Sequence, residues 1–386
     1  MKAAISPWPR WRPCEGGAYA LRESFQAIYE RLNASNGFGE GQDFNYRDLN
    51  CLFSPQRRDR HRRLADCDGM DRYEKEDVAR VVDAVCADDA PVYAMIAPAF
   101  QGQFSPMVTP GKLRDAFKRM GFSGMIEVAL FADILTLKEA FEFDRHILTD
   151  KDFLLASCCC PLWIALIRKS YSHLVPHIPP SVSPMVACGR SIKKLCPEAV
   201  TVFIGPCIAK KVEAREPDIA GAVDYVLTFD EAQSMFLGMH VDPAKCEDDL
   251  RDHSSAAGRI YARVGGVSRA VQHTLDRVRP GRPIPLRAVQ ANGMRECKAV
   301  MNDVLNGNTW ANFLEGMGCP GGCVGGPRRL LSVEEGTHFV NGYGGRAAYG
   351  TPIDNPYVIE LLRRLGFETV ESLLEDASLF TRRFNQ

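Results

Sequence analysis

Residues 200–213, VTVFIGPCIAKKVE, indicate the fold class of this chain. Val200 to Ile204 is an apolar, partly β-branched run of strand length, and Gly205-Pro206 ends it. Cys207 follows at once, at the carboxyl end of the predicted strand, where sites in α/β sheets usually lie. The stretch therefore predicts a buried strand that carries a cysteine to a functional edge.

The same pattern extends in both directions along the chain. Val92 to Ile96 is a second short buried strand, which ends at Ala97-Pro98-Ala99, and Val223 to Leu227 is a third. Strands that alternate with helices predict layered α/β lobes. Two helices have clear boundary signals: a Thr228/Glu231 capping box with an end near Gly238, and an Asn355-Pro356 start with an end at Gly366.

Composition excludes several classes of protein. The chain has 386 residues, 46% of them hydrophobic and 25% charged, which is typical of a folded globular protein of two or three units. Lys+Arg number 47 and Asp+Glu 48, so nothing favours nucleic-acid or polybasic membrane binding. No apolar run reaches about 18 residues, so no membrane span is expected. No export signal is visible at the start, which predicts a cytoplasmic location.

Residues 1–88 differ from the rest and form an N-terminal region of uncertain role. The arginine-rich run at 57–63 indicates a solvated helix face, or a docking site for an acidic electron carrier. Four cysteines fall here at wide spacings without a C-x2-C pair, so a ferredoxin-type cluster is not expected; they are Cys14, Cys51, Cys67 and Cys86. No P-loop or dinucleotide-binding glycine motif occurs in the chain.

Fourteen cysteines are too many for a cytoplasmic chain if all are merely buried apolar groups. Three segments place them beside Pro or Gly, where the backbone turns tightly. They are residues 156–163 (ASCCCPLW), 204–213 (IGPCIAKKVE) and 315–326 (EGMGCPGGCVGG). Isolated cysteines are predicted to be buried small side chains: Cys188, Cys196, Cys246 and Cys297.

The clustered cysteines allow two metal sites. Cys319-x3-Cys323 alone could be half of a zinc site, but a structural zinc normally uses two such pairs. The remaining ligands would here come singly from distant segments. Soft thiolates from separate loops suit an iron–sulfur cluster better.

Together the three segments resemble the signature motifs of the catalytic domain of FeFe-hydrogenases. The family patterns T-S-C-C-P-x-W, M-P-C-x-x-K-K-x-E and E-x-M-x-C-x-x-G-C meet this chain in the same order. The resemblance covers residues 89–386, which are predicted to form one catalytic domain. It implies an α/β fold of two lobes, with mixed sheets flanked by helices and the metal site in the cleft between them.

The resemblance also implies a cofactor and its ligands. A 4Fe–4S cluster joined to a diiron subcluster with CO, CN and azadithiolate ligands is expected. Its ligands would be Cys160, Cys207, Cys319 and Cys323, with Cys323 as the bridge. Lys210 would donate to one cyanide, Met317 would pack near the diiron unit, and Ala97 and Pro98 would form the turn near the other cyanide. A solvated lysine, core filling and an ordinary turn are the competing interpretations.

A proton path follows from the same likeness. Cys159 matches the thiol that passes protons, and Glu139 and Glu142 match the two glutamates of the path. They stand three residues apart, on one face if the segment is helical, and a solvated helix face is the alternative. Cys158 is one thiol more than the usual motif and is interpreted as packing.

Several positions depart from the family pattern. Gly205 stands where efficient members have Met, Ala99 where many have Ser, and Met185 where many have Gln. Pro179 stands where the path would recruit a serine, and the third motif continues Gly325-Gly326-Pro327-Arg328. Polar contacts around the diiron unit would be altered, which should shift potentials and slow or bias turnover.

The expected function is an iron hydrogenase, an oxidoreductase that reversibly oxidises dihydrogen and reduces protons. A ferredoxin or another electron-transfer protein would be its electron partner, and hydrogenase maturation proteins would assemble the site. Two alternatives remain: a dihydrogen sensor of low turnover, and a hydrogenase-like iron–sulfur assembly or carrier protein without the diiron unit.

Overall fold

The computed structural model describes residues 22–34, 49, 53, 76–87, 89–249 and 251–384. The strands there are β1 Val92–Ile96, β2 Gly124–Glu127, β3 Leu154–Ala156, β4 Val200–Ile204, β5 Tyr225–Leu227, β6 Ala288–Asn292 and β7 Phe313–Met317. The helices are α1 Phe25–Asn33, α2 Glu76–Ala87, α3 Pro110–Arg119, α4 Ala129–His146, α5 Pro161–Ser170, α6 Pro184–Leu195, α7 Ala209–Glu213, α8 Phe229–Gly238, α9 Ala256–Arg259, α10 Gly266–Val278, α11 Met294–Leu305, α12 Val333–Gly345, α13 Pro356–Arg364 and α14 Val370–Leu374.

The first lobe is built on a four-stranded sheet of order β2-β1-β4-β5. β1 and β4 are the two central strands, and they match the residues predicted from the sequence. Every residue of β1 is buried, as expected of a strand covered by helices on both faces. β5 is shorter than predicted and begins at Tyr225.

The second lobe is built on a three-stranded sheet of order β3-β7-β6. All strand pairs of both sheets are parallel, so the α/β class is confirmed, whereas the expectation of mixed sheets is wrong for the described residues. The reason is that each connection between paired strands is a crossover long enough to return the chain in the same direction. Parallel strands bring all their carboxyl ends to one edge of each sheet.

Helix α4 contributes to the cores of both lobes. Leu130, Ile134 and Phe141 belong to the core of the first lobe, and Ala132 and Phe143 to that of the second. The helix packs against α6, α9, α10, α13 and α14. It is therefore buried along most of its length, and any charged side chain it carries needs a partner inside the protein.

The two predicted helix boundaries are confirmed. Thr228 and Glu231 form the reciprocal capping box that starts α8. The Asn355 side chain caps α13 with Pro356 in the first turn, and Gly366 follows its end with a φ of 84°. No helix among the described residues is long and apolar enough to cross a membrane.

Two described pieces of the N-terminal region pack onto the body of the protein. α1 lies beside α13, and the Phe25 amide donates to the Glu368 carbonyl oxygen at 2.9 Å. α2, which carries Cys86, packs against α8 and β5. The boundary at residue 88 stays a prediction. The arginine run at 57–63 and Cys14, Cys51 and Cys67 lie outside the described residues.

Candidate metal centre

The three cysteine segments begin at the carboxyl ends of three strands. β3 leads into Cys158, Cys159 and Cys160, β4 leads through Gly205-Pro206 to Cys207, and β7 leads to Cys319. Because the strands of each sheet are parallel, their ends converge at one edge. The local strand-then-cysteine pattern therefore places all three segments where the two lobes meet.

The first and third segments are in close contact, and glycines permit it. A β-carbon at position 316 would lie 2.2 Å from the Trp163 ring, and one at position 318 would lie 2.5 Å from the Leu162 β-carbon. Trp163 is fully buried, and its indole N–H donates to the Ala156 carbonyl oxygen at 2.8 Å. The ring is held too firmly to yield space to a larger residue at 316.

Gly316→Ala should lower the free energy of unfolding by about 1–3 kcal/mol, because the added methyl overpacks against Trp163. Urea unfolding of the metal-free protein measures this change. Gly345→Ala is the matched control, since nothing lies within 4 Å of a β-carbon there and alanine favours helix α12. Equal effects of the two substitutions would contradict the close contact.

The second and third segments are also joined. The Arg328 amide donates to the Pro206 carbonyl oxygen at 3.1 Å. A β-carbon at Gly326 would lie 2.7 Å from the same oxygen. The continuation Gly-Gly-Pro-Arg, which departs from the family pattern, thus connects the segment of Cys323 to the segment of Cys207.

The thiols of these segments lie close enough to influence one another. Burial and the neighbouring thiols of Cys207 and Cys160 raise the pKa of Cys319 to about 11. The pKa of Cys323 is raised further by burial and by the same two thiols. The Gly318 amide also donates to Cys160 Sγ at 3.3 Å. Four thiols therefore share one half-buried site.

This donor set suits an iron–sulfur cluster. Thiolate is the form that binds metal, and positive charge at the centre would offset the burial and mutual repulsion that disfavour it. Four cysteines are the usual ligand number for a 4Fe–4S cluster. Among the described residues, no group of three or more His, Cys, Asp or Glu side chains has the arrangement of a single-metal site. The residues present fit the larger cluster that the sequence predicts.

Lys210 is buried beside the thiols. Its Nζ donates to Glu213 Oε2 at 2.6 Å. Burial opposes the charge, but Glu213 and then the thiols of Cys207 and Cys159 outweigh it, so the pKa of Lys210 is raised. The solvated-lysine interpretation is wrong: the side chain is only 8% exposed, and it presents a cation to the cysteine site.

Cys159 and Met317 lie in the same buried cluster of the second lobe, together with Cys160. Burial, followed by the thiols of Cys158, Cys323 and Cys160, raises the pKa of Cys159 well above its usual range. The thiol is therefore protonated near neutral pH. Cys158 is buried, and its Sγ–H donates to the Val182 carbonyl oxygen at 3.4 Å, in agreement with a packing role.

Glu139 and Glu142 both lie on α4, and both are buried, so the solvated-face alternative is wrong. The Ser157 backbone favours the charged form of Glu139, which places this carboxyl group near the first cysteine segment. Ser157 has a φ of 67°, a strained conformation for serine that the surrounding packing maintains. Burial, and then the charges of Glu315 and Glu142, raise the pKa of Glu139 to about 8.

The free energy of unfolding should fall less steeply with rising pH in Glu139→Gln than in the parent. A glutamate with a folded pKa of about 8 and an unfolded value near 4.5 binds more protons in the folded state between these values. Stability therefore falls as the pH rises through this window and is not recovered above it. The contribution is on the order of 4 kcal/mol by pH 8.

Urea unfolding midpoints of metal-free parent and variant between pH 5 and pH 9 measure this difference. Glu375→Gln removes an exposed carboxyl group and serves as the control, which should follow the parent. Parallel profiles for the parent and Glu139→Gln would show that the folded pKa of Glu139 is not raised.

The Ala97-Pro98 turn lies at the carboxyl end of β1, beside Cys207. The Ala97 amide donates to the Ile204 carbonyl oxygen at 2.9 Å, next to Gly205. A β-carbon at position 205 would lie 2.9 Å from both the Ala97 β-carbon and the Phe203 ring. Phe203 therefore fills the space that a methionine at 205 would need, so this departure involves two residues.

Sequence reasoning missed four site-adjacent residues. Glu213 pairs with Lys210, Glu315 faces Glu139, and Lys138 contacts both Glu142 and Ser181. Glu213 and Glu315 were visible within the quoted motifs. Lys138 stands four residues before Glu142, a spacing that allows an ion pair on a helix.

A cavity of about 470 Å³ lies away from the cysteine segments, between the 101–114 region, residues 248–259 and α12. Its charged lining is largely paired internally. Arg114 contacts Asp249 at 2.6 Å and Glu127 at 3.1 Å, and Arg259 pairs with Asp252. We interpret these pairs as structural links between segments.

The parallel α/β lobes and the shared thiol site are typical of one class of protein, α/β proteins with a cysteine-rich metal centre. The family model described as iron only hydrogenase large subunit, C-terminal domain, matches residues 90–327. The chain therefore belongs to this family. The sequence-based resemblance to FeFe-hydrogenases is confirmed.

Individual relatives fall into two groups. The chain is 29% identical to the periplasmic Fe hydrogenase large subunit of Nitratidesulfovibrio vulgaris (57% of this chain, 62% of the relative) and 27% identical to iron hydrogenase 1 of Clostridium pasteurianum (66% and 52%). It is also 26% identical to cytosolic iron-sulfur assembly component 3 of Pongo abelii (69% and 67%). The chain thus spans only about half to three fifths of the two hydrogenases.

Solved structures show the same fold. A structure from work on FeFe-hydrogenase oxygen inactivation has a TM-score of 0.67, and a variant of FeFe-hydrogenase HydA1 from Chlamydomonas reinhardtii has 0.66. Each is 20% identical and covers 80% of this chain and 98% of the other. The predicted FeFe-hydrogenase-like fold is therefore confirmed.

Proposed function

We propose that this protein is an FeFe-hydrogenase that catalyses the reversible oxidation of dihydrogen and reduction of protons. The observation that carries the proposal is the set of groups around the four thiols. Cys159 is a half-buried, protonated thiol beside them, and Lys210 is a buried cation beside them. A protein that only carries a 4Fe–4S cluster has no evident need for either group.

Four residues would hold the cofactor: Cys160, Cys207, Cys319 and Cys323 as ligands of the 4Fe–4S cluster, with Cys323 also as the bridge. When bound, the diiron unit with CO, CN and azadithiolate supplies the site where dihydrogen is cleaved or formed. Lys210 would donate to a cyanide ligand, Met317 would pack against the diiron unit, and the Ala97-Pro98 turn would lie near the second cyanide.

The chain's own residues would move protons to and from this site. Cys159 would exchange a proton at its Sγ, since burial raises the pKa of the thiol and so keeps it protonated near neutral pH. Glu139 would exchange protons on the inner side of α4 and Glu142 one turn further out. A carboxyl group that titrates near neutral pH is suited to general acid–base exchange.

An electron-transfer protein would dock over the cysteine segments. Three apolar side chains that flank the ligands are exposed: Leu162 by 37%, Ile208 by 41% and Val212 by 67%. Exposed Arg168, Lys169, Arg328 and Arg329 border the same segments. Apolar contact with a basic border fits an acidic ferredoxin-type partner.

Assembly and location follow from the same proposal. Ten of the eleven cysteines among the described residues, all except Cys86, are free thiols, and this majority suits a reducing compartment such as the cytoplasm. Dedicated maturation proteins would insert the diiron unit. Expressed without them, the protein should hold at most the 4Fe–4S cluster.

Infrared spectroscopy of the matured protein tests the proposal. Bands of metal-bound CN and CO are expected, together with dihydrogen-dependent reduction of an electron acceptor. Absence of both band sets after maturation, in a protein that retains its 4Fe–4S cluster, would contradict it.

An iron–sulfur assembly role is the second candidate. The 26% identity to cytosolic iron-sulfur assembly component 3, over two thirds of both chains, is the observation that favours it. This role predicts a loaded 4Fe–4S cluster without CN and CO bands. A dihydrogen sensor of low turnover is a third outcome of the same measurement, with both band sets present but slow catalysis, in line with the altered Gly205 and Pro179 positions.

A further inference from the structure

Lys138 is a charged residue with no exposed surface, one position before Glu139 on α4. Its Nζ donates to Glu142 Oε1 at 3.0 Å, to Ser181 Oγ at 3.1 Å and to the Pro180 carbonyl oxygen at 3.2 Å. An ammonium group has three N–H donors, and all three are used. The arrangement is therefore a built contact, since a buried ammonium without partners would be very costly.

The two glutamates beside Lys138 each have one oxygen that accepts no hydrogen bond from the protein. These atoms are Glu139 Oε1 and Glu142 Oε2, and both are buried. His146 Nε2 lies 3.8 Å from Glu142 Oε2, at the outer end of α4, and its side chain is 20% exposed. Unpartnered buried carboxyl oxygens cost free energy unless they exchange protons or bind water.

Lys138 contacts the Ser181 hydroxyl close to Pro179, a position that offers no hydroxyl of its own. Pro179 is buried and has no side-chain donor or acceptor, whereas Ser181, two residues later, offers a hydroxyl. The segment that contains them is also held at the Val182 carbonyl oxygen by Cys158. Lys138 thus links α4 to the loop that runs beside the first cysteine segment.

We propose that Lys138 is a positioning residue that holds the Glu142 carboxylate fixed between Glu139 and the outer end of α4, so that Glu142 serves as the relay carboxylate. Its ion pair with Glu142 and its bond to Ser181 replace the hydroxyl contact that Pro179 cannot make. The role in proton delivery rests on the proposed hydrogenase function. The positioning of Glu139 and Glu142 by Lys138 does not depend on that function.

The proposed proton transfer has two steps, both at Glu142. Glu142, as a carboxylate, accepts a proton on Oε2 from the outer side and becomes neutral. It then donates this proton to ionised Glu139 and returns to the carboxylate, which stays paired with Lys138.

Several other charges act on Glu139, and a test must keep them constant. The titratable groups near it on neighbouring elements are Glu315 on β7, Tyr261 before α10 and Cys158 after β3; Lys138 and Glu142 lie on its own helix. Only Lys138 is a cation. Its removal should therefore raise the proton affinity of Glu139, against the background of the other groups.

Infrared difference spectroscopy across pH, with Glu139→Gln as the reference, measures the deprotonation midpoint of Glu139 in the full chain, with and without maturation. Lys138→Met should raise this midpoint by about one to three pH units. Lys138→Arg, which keeps the charge, should stay within about one unit of the parent. In matured protein Lys138→Met should lower kcat at least about tenfold with little change in KM for dihydrogen.

If Lys138→Met does not fold, a double variant without either charge of the ion pair still tests the role of Lys138. Lys138→Met with Glu142→Gln removes both charges, and Glu142→Gln alone keeps the lysine. The midpoint should be higher in the double variant than in Glu142→Gln. Equal midpoints, or equal behaviour of Lys138→Arg and Lys138→Met, would overturn the inference. A parent without dihydrogen turnover would overturn the proposed function, while the midpoints would still decide the role of Lys138.

Discussion

Cys159→Ser should reduce dihydrogen turnover by about 10²–10⁴-fold while all iron stays in place. Cys159 is half-buried next to the predicted ligand thiols, and burial raises its pKa, so it holds a proton at the site. A serine hydroxyl is a much weaker acid than a thiol, so proton transfer through it is uphill at neutral pH. Turnover assays combined with iron content and infrared bands measure the two effects separately.

Cys160→Ser is the control for this prediction, because it changes a neighbouring residue of the same segment. Cys160 accepts a hydrogen bond from the Gly318 amide and lies among the ligand thiols. Loss of this thiolate should damage the 4Fe–4S cluster itself, so visible absorption and iron content should fall. If both substitutions reduce iron content alike, Cys159 is a ligand or a structural residue.

Unchanged turnover in Cys159→Ser would mean that protons arrive by another route. Cys158 is then the first residue to test, since it is buried in the same segment and is electrostatically coupled to Glu139. Its Sγ–H is directed to the Val182 carbonyl oxygen, which favours a packing role. Cys158→Ala should therefore leave turnover close to that of the parent.

The elements of this fold that the sequence predicted are those whose signal is local. β1 and β4 were delimited correctly because a buried parallel strand is a short apolar run stopped by Pro or Gly. The Thr228 capping box is likewise contained within four residues. That both sheets are entirely parallel among the described residues was not predicted, because the relative direction of strands depends on crossovers far apart in the chain.

In the candidate site, too, local features were predictable from the sequence and contacts between distant segments were not. Motif spacing was enough to propose Cys160, Cys207 and Cys319 as neighbours. Contacts between distant segments were invisible, such as the Phe203 ring occupying the space beside Gly205, or Lys138 reaching Ser181. A solvated face and a buried pair of glutamates give the same i,i+3 spacing, and only the packing of α4 distinguishes them.

Lys210→Ala should prevent stable retention of the diiron unit while the 4Fe–4S cluster remains loaded. Lys210 is buried, and its charge is favoured by Glu213 and by the thiols of Cys207 and Cys159. A charge-assisted hydrogen bond to a buried ligand contributes about 1.5–3 kcal/mol, which corresponds to a roughly 10- to 150-fold weaker hold on the unit. Iron content and the CN and CO bands after maturation report this loss.

Two variants separate this effect from simple destabilisation. Lys211→Ala changes the adjacent lysine, which pairs with Asp77 and Glu231 on the other side of α7, and should leave both band sets unchanged. Lys210→Met combined with Glu213→Gln removes the charge without leaving a buried carboxylate unpaired, so the fold should survive. If this double variant retains the diiron unit as well as the parent does, Lys210 contributes only its ion pair with Glu213. If it loses the unit at unchanged unfolding free energy, the buried cation itself holds the cofactor.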